Sequence, residues 1–149
     1  MKINLIVLIC ALLATFTSSI QQPTAKVTST PPPQTGHSLI ILGTAQDAGA
    51  PQIGCQKDCC KIRFRSPNKK KKVVSLGVID HHTKATYLFE ATPDITAQCK
   101  ILKEASNSDQ ELPSAIFLTH AHIGHYTGLM YLGKEATNAQ KMPVYAMPK

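Results

Sequence analysis

The sequence predicts a mixed α/β domain, and three observations carry that expectation. Short apolar runs of strand length alternate with stretches of helical period. One of those runs leads directly into a cluster of three histidines. The composition, 43% hydrophobic and 17% charged, is that of a globular chain. The order along the chain is strand, long loop, hairpin, helix, strand, helix, strand, with no internal repeat.

Before the first strand, Lys2 opens an almost unbroken apolar run from Ile3 to Phe16, and Thr17, Ser18 and Ser19 supply small residues for cleavage. This pattern predicts a signal peptide over 1–20. The run is short for a bilayer span, so no stable membrane span is expected after cleavage, and the protein is expected to be exported, periplasmic or secreted. A retained anchor is the competing reading. Residues 21–36 are rich in Thr, Ser, Pro and Gln, include Pro31, Pro32 and Pro33, and carry almost nothing to bury. They read as a disordered linker, which leaves 37–149 to fold.

Within that domain, Ser38 to Gly43 (SLIILG) reads as a buried strand. Thr44 to Asn68 shows no helical or strand period and reads as one long loop carrying Gly49, Pro51, Gly54 and three cysteines. Val73 to Ile79 and Ala85 to Ala91 read as a hairpin around the polar stretch from Asp80 to Lys84, with His81 and His82 exposed in it. Thr92, Pro93 and Asp94 form a helix start, with a capping hydroxyl, proline at the first helical position and a carboxylate in the first turn. Ile95, Cys99 and Leu102 then share one face. Ser114 to Thr119 is another buried strand, Leu129, Leu132 and Ala136 repeat at helical spacing, and Met142 to Met147 is the last strand.

The formal net charge of +7 raises the question of nucleic acid. Much of the charge sits in Arg63, Arg65 and Lys69 to Lys72, around the turn-like Ser66, Pro67 and Asn68, with Phe64 the one aromatic among them. A solvated loop fits better than a stacking platform, and nucleic acid is not expected as a partner. A small-molecule substrate is expected, and nothing in the chain indicates an oligomeric state.

The stretch THAHIGHYTG from Thr119 to Gly128 carries the chemistry. Residues two apart in an extended segment point the same way, so His120 and His122 can present both imidazoles to one ion. His125, where a helix begins, can return a third nitrogen to the same cavity. Neutral imidazole is a favoured zinc ligand, and ligands gather beyond the carboxyl ends of strands in open α/β sheets.

Taken together, FLTHAHIGHYTGL, YLFEATPDI and LGTAQDAG resemble the metallo-β-lactamase superfamily, whose motif is His-x-His-x-Asp-His. Within it the chain is similar to the branch containing the pyrroloquinoline quinone biosynthesis protein B. The resemblance covers His37 to Lys149 and implies the amino-terminal half of an αββα sandwich with metals at the sheet edge. It implies that His120 and His122 hold a first metal and that His125 belongs to a second site. Gly124 stands where the family has Asp, which makes a mononuclear centre plausible. The family adds another histidine, a bridging aspartate and a last histidine from later loops, whereas here no His follows His125 and no Asp follows Asp109. The chain is therefore expected to correspond to part of a longer domain, and its own catalysis is left open.

Cys55, Cys59 and Cys60 in GCQKDCC read either as disulfide partners or as a structural metal site of clustered thiolates, which the resemblance to that branch favours. Asp47 reads either as a carboxylate that reaches the metal cavity or orients a ligating histidine by hydrogen bonding, or as the cap of the turn at Gly49. Asp94 is explained by the helix start, and Glu90 is assigned to neither face of its strand. The function these readings lead to is metal-assisted hydrolysis with zinc, one or two ions, activating water. Two others stand beside it: an iron-dependent oxidative enzyme, since imidazole also suits iron, and a non-catalytic exported metal-binding protein or truncated remnant.

Overall fold

The computed structural model describes residues 35–66 and 71–148. The signal-peptide reading over 1–20 and the linker reading up to residue 34 lie outside the described residues, as do Pro67, Asn68, Lys69 and Lys70 of the basic stretch. Five strands form one mixed sheet in chain order: β1 (His37–Gly43), β2 (Ser75–Asp80), β3 (Thr86–Phe89), β4 (Ala115–Leu118) and β5 (Val144–Ala146). The first three run antiparallel, and β3, β4 and β5 run parallel to one another. Parallel neighbours require crossovers. Helix α2 (Ile95–Ser106) makes the one between β3 and β4, while α3 (Ile123–Tyr126) and a 3-10 helix (Thr127–Leu132) lie between β4 and β5.

The hairpin forms because β2 and β3 alternate. Ser75, Gly77 and Ile79 are buried while Leu76 and Val78 face the other way, and Val78 pairs with Tyr87 and Leu76 with Phe89. Its turn is closed by Asp80, whose carboxylate accepts the Thr83 hydroxyl at 2.7 Å and the His82 N–H at 2.9 Å. Those bonds, the Thr83 hydroxyl first, hold the Asp80 carboxyl below its ordinary value. Of the two hairpin histidines read as exposed, His82 is exposed, but His81 is half-buried with Nε2 2.6 Å from Ser38 Oγ. The correction follows from β1, which the hairpin packs beside.

One face of the sheet is covered by α2. Ile95, Gln98, Cys99 and Leu102 fall at helical spacing on its buried side, and Leu42, Ile79, Leu88 and Ile116 meet them from the strands. Fully burying one such side chain contributes roughly 1.5–3 kcal/mol. The opposite face carries Leu39, Ile41, Phe89, Phe117 and Tyr145, with Phe117 stacked 5.0 Å from both Phe89 and Tyr145. Leu39 and Ile41 are 65% and 66% exposed, so β1 is half-buried where the sequence predicts a buried strand. An apolar run alone does not say whether both faces are covered.

Two helical expectations change. The long loop contains an eight-residue helix, α1 (Asp58–Arg65), that buries only Cys60. A helix this polar has no apolar stripe to detect. Its one sequence trace is Asp58 in the first turn with Arg63 and Arg65 in the last, the charges that a helix dipole favours. After the histidines the chain breaks at Gly128 instead of continuing to Ala136. The Gly128 N–H leaves the helix to bond the Ala91 carbonyl at 2.8 Å. A Cβ at 128 would meet the Thr92 carbonyl oxygen at 2.1 Å, so only glycine admits this approach.

The start of α2 holds a buried polar network. The Thr92 hydroxyl accepts the Asp94 N–H at 3.0 Å and donates to Gln98 Oε1 at 2.7 Å. Gln98 donates to the Val73 carbonyl and Asp94 accepts the Val73 N–H, both at 2.8 Å. The helix start differs from the expectation: regular helix begins at Ile95, so Asp94 is the N-cap, without a side-chain capping bond, and neither Pro93 nor the Asp94 carboxylate lies in the first turn, because that carboxylate is taken by the Val73 N–H. Among the described residues no helix is long and apolar enough to cross a membrane. Thr92→Val keeps the shape but leaves Gln98 Oε1 without its donor. It is expected to lower stability by about 1–3 kcal/mol in urea unfolding, and an unchanged midpoint would show that the network contributes nothing.

Candidate metal centre

Three loops meet at the carboxyl end of the parallel strands. Strand β4 ends at Leu118, and the chain that follows presents Thr119, His120, His122 and His125. Glu90 is the first residue past β3, and Asp47 lies in the loop after β1.

His125 is fixed by its own backbone. Its N–H bonds the His122 carbonyl at 2.9 Å, and its carbonyl accepts the Ala91 N–H at 2.8 Å, which sets α3 against the end of β3. The imidazole is 5% exposed, with a carboxylate at each nitrogen. Nε2 is 2.8 Å from Asp47 Oδ1, and Nδ1 is 3.1 Å from Glu90 Oε2. The second pair is close without an aligned hydrogen bond, so both atoms remain buried and unsatisfied. Glu90 has φ +74, an uncommon conformation for a non-glycine residue, and that turn out of β3 sends its side chain under the histidines. Its other oxygen accepts the Thr119 N–H at 3.2 Å.

His120 is exposed, and its Nδ1 is 2.8 Å from Thr119 Oγ1, which leaves Nε2 as its free nitrogen. Its ring centroid lies 4.1 Å from that of His125 and 4.5 Å from that of His122, while His122 and His125 are 6.5 Å apart. His122 directs Nδ1 to Asp47 Oδ2 at 3.1 Å. Asp47, His120 and His125 each offer one ligand atom, and these atoms all lie within 4.8 Å of one another. Imidazole nitrogens and a carboxylate oxygen are a donor set that suits zinc or iron. The hydrogen bond with His125 holds the Asp47 carboxyl below its ordinary value.

The turn-capping role considered for Asp47 belongs to its neighbour. Gln46 accepts the Gly49 N–H on its carbonyl at 2.8 Å and the Ala48 N–H on Oε1 at 3.2 Å. That frees the Asp47 carboxylate to face the histidines. Beside His120 opens a cleft of about 290 Å³ lined by Leu118, Thr119, Tyr126, Ala146 and Met147, apolar apart from the histidine and hydroxyl groups.

The profile of the metallo-beta-lactamase superfamily matches residues 71–148, which include β2 to β5 and all three histidines. The chain belongs to that superfamily. A curated relative, coenzyme PQQ synthesis protein B of Methylorubrum populi, is 26% identical over 114 residues, covering 74% of this chain and 37% of that protein. Among solved structures, Zn(2+)-bound PqqB from Methylobacterium extorquens matches with TM-score 0.57 at 24% identity, over 75% of this chain and 37% of its own. A diphosphatase from the PhnP family matches with TM-score 0.52 at 25% identity, over 76% and 42%. The chain spans about two fifths of the length of these relatives. Its mixed sheet, with helices on one face and an uncovered apolar face on the other, is the amino-terminal half of the superfamily's αββα sandwich. The PqqB-like branch that the sequence resembles is among its relatives.

Neither Glu90 nor Thr119 is assigned to the site by the sequence pattern. The available signal was a carboxylate ending an apolar strand, but its direction depends on a positive φ that composition does not reveal.

The cysteine loop lies apart from the histidines. Cys55, Cys59 and Cys60 place their sulfurs within 4.8 Å of one another, at and just before α1, and all are free thiols. Among the described residues no disulfide is formed. Cys99 belongs to the core under α2, where burial pushes its thiol up to about 11. Thiolate is the reactive form. In metal-free native protein at about pH 8, exposed Cys59 is expected to be alkylated first and Cys99 only on unfolding. Peptide mass mapping of a labelling time course reads this order, and early labelling at Cys99 would contradict the packing described for α2.

Proposed function

We propose that this chain forms the metal-holding part of a zinc-dependent hydrolase acting on a small molecule, with His120 and His125 holding the ion and His122 beside them. The observation that carries the reading is the convergence of His120 and His125, ring centroids 4.1 Å apart, at the carboxyl end of β4 in a superfamily fold. Bound zinc supplies a Lewis acid and lowers the pKa of water to about 7, which serves hydrolysis of an ester, lactone, amide or phosphodiester.

The chain's own groups prepare the site. Thr119 holds His120 at Nδ1, so Nε2 is the nitrogen presented to an ion. Glu90 lies against Nδ1 of His125 and favours the tautomer with its proton there, as the outer partners of ligating histidines do. The apolar cleft beside His120, with Tyr126 and Met147 among its lining residues, is where a small substrate would sit. The three clustered thiols of the α1 loop fit a separate structural zinc. The leader read over 1–20 adds export to this reading.

A second reading, oxidative chemistry at iron, is favoured by one relative's name, coenzyme PQQ synthesis protein B, together with a nitrogen and oxygen donor set that suits iron. Anaerobic loading with ferrous iron followed by oxygen-uptake measurements separates the two.

The test of the leading reading is zinc affinity by chelator competition, alongside hydrolysis of a panel of chromogenic esters, lactones and phosphodiesters. His120→Ala and His125→Ala are each expected to weaken binding at the histidine site by more than the ~10–100-fold typical of losing an outer partner, and to abolish hydrolysis. Hydrolysis that persists in zinc-free protein would overturn the assignment.

A further inference from the structure

The geometry points to Asp47 as a direct ligand of the bound metal, supplying from the loop after β1 the carboxylate that the superfamily motif carries at the position of Gly124. This rests on the reading of His120 and His125 as ligands and adds a residue outside the histidine motif.

The first observation concerns space. A Cβ built on Gly124 would lie 2.5 Å from Asp47 Cα, 2.6 Å from the Asp47 carbonyl oxygen and 2.7 Å from Asp47 Cβ. Carbon atoms do not approach so closely, and two of these three contacts are with backbone, which cannot swing aside like the end of a flexible side chain. The volume into which any side chain at 124 would project is filled by residue 47.

The loop also has little room to retreat. Thr44 and Ala45 donate to the Lys72 carbonyl at 3.0 and 2.9 Å, and the Ala45 carbonyl accepts the Val74 N–H at 2.8 Å. Gln46 closes the turn to Gly49 on the other side. Glycine at 124 is therefore the condition that lets Asp47 approach, and an aspartate at 124 and this placement of the loop are mutually exclusive.

The second observation is where the carboxylate goes. Oδ1 reaches His125 Nε2 at 2.8 Å and Oδ2 reaches His122 Nδ1 at 3.1 Å. The nitrogen of His125 that faces Asp47 is the one left for a metal when Nδ1 faces Glu90. Asp47, His120 and His125 form the group whose ligand atoms all fall within 4.8 Å, and His122 is not in it. An ion held by His125 Nε2 therefore sits beside Asp47, and a carboxylate there ligates it directly instead of orienting a histidine from behind. Two imidazoles and one carboxylate with solvent on the remaining side leave positions open for water or substrate.

Cadmium-113 NMR of the 149-residue chain separates this site from the thiols, because sulfur ligation moves the resonance far downfield of nitrogen and oxygen ligation. Wild type is expected to show one resonance in the nitrogen and oxygen range. Asp47→Cys, under reducing conditions, is expected to move that resonance downfield, since a thiolate at 47 would join the ion. Asp47→Asn, which keeps the shape, is expected to weaken cadmium affinity at this site at least about tenfold with the metal-free unfolding midpoint retained. Gly124→Ala is expected to cost a similar factor in wild type and little more in the Asp47→Asn background, because both changes remove the same ligand.

A resonance unmoved in Asp47→Cys would overturn the ligand assignment, whatever Asp47→Asn does, and leave the histidine site standing. Equal losses from Gly124→Ala in both backgrounds would overturn its pairing with Asp47. Should Gly124→Ala fail to fold, the two Asp47 variants decide alone. A wild-type chain with no nitrogen and oxygen resonance would instead overturn the histidine site of the proposed function, and this inference with it.

Discussion

One buried imidazole organises this end of the molecule. His125 is packed where an uncompensated charge or an unpaired ring nitrogen would be costly, and the fold answers with a carboxylate on either side, Asp47 at Nε2 and Glu90 at Nδ1. Those two residues belong to different strand ends, so satisfying one ring ties the loop after β1, the end of β3 and the start of α3 together. The Glu90 side is less complete, since its outer oxygen and Nδ1 approach without aligning. A ring held this way turns Nδ1 inward to Glu90 and Nε2 outward to Asp47. That division is what a metal site asks of a ligating histidine.

Such convergence needs backbones closer than side chains normally allow, and two glycines supply the clearance. Gly128 sits against the carbonyls of Ala91 and Thr92, and Gly124 against the backbone of Asp47. The segments they face leave β3 and β1, which are separated in the sheet by β2. Close approach has a consequence for helix length: once the Gly128 N–H bonds Ala91, the ladder of α3 stops and only 3-10 turns follow. The short helix after the histidines is therefore a result of docking the site onto β3, not of weak helical propensity in what comes next.

What could be read in the chain depended on how local the signal was. The strands announced themselves because their apolar runs are short and bounded, and α2 because Ile95, Cys99 and Leu102 keep helical spacing. The histidines stood out because three of them fall within six residues after a strand. Helix α1 was illegible because it buries one residue and has no stripe. Glu90 was undecided because a strand's alternation ends where φ turns positive. The partners of Asp47 lie 75 and 78 residues away, and no window along the sequence contains both ends of such a contact. Gly124 shows the limit most clearly. Read against the family motif it is a missing carboxylate, whereas in three dimensions it is the space through which another carboxylate arrives.

The two faces of the sheet divide the work of the domain. The face under α2 is a packed core, while the face with Leu39, Ile41, Phe89, Phe117 and Tyr145 is apolar and open, as one layer of the superfamily's sandwich is before its second sheet is laid on. The candidate ligands do not depend on that second layer for their positions. The chain just before Asp47 is tied at Thr44 and Ala45 to Lys72 and Val74, His125 is tied to Ala91, and Glu90 to Thr119. The clustering of His120, His125 and Asp47 is thus a property of this sheet's edge. The cradle is set by the hydrogen bonds already described.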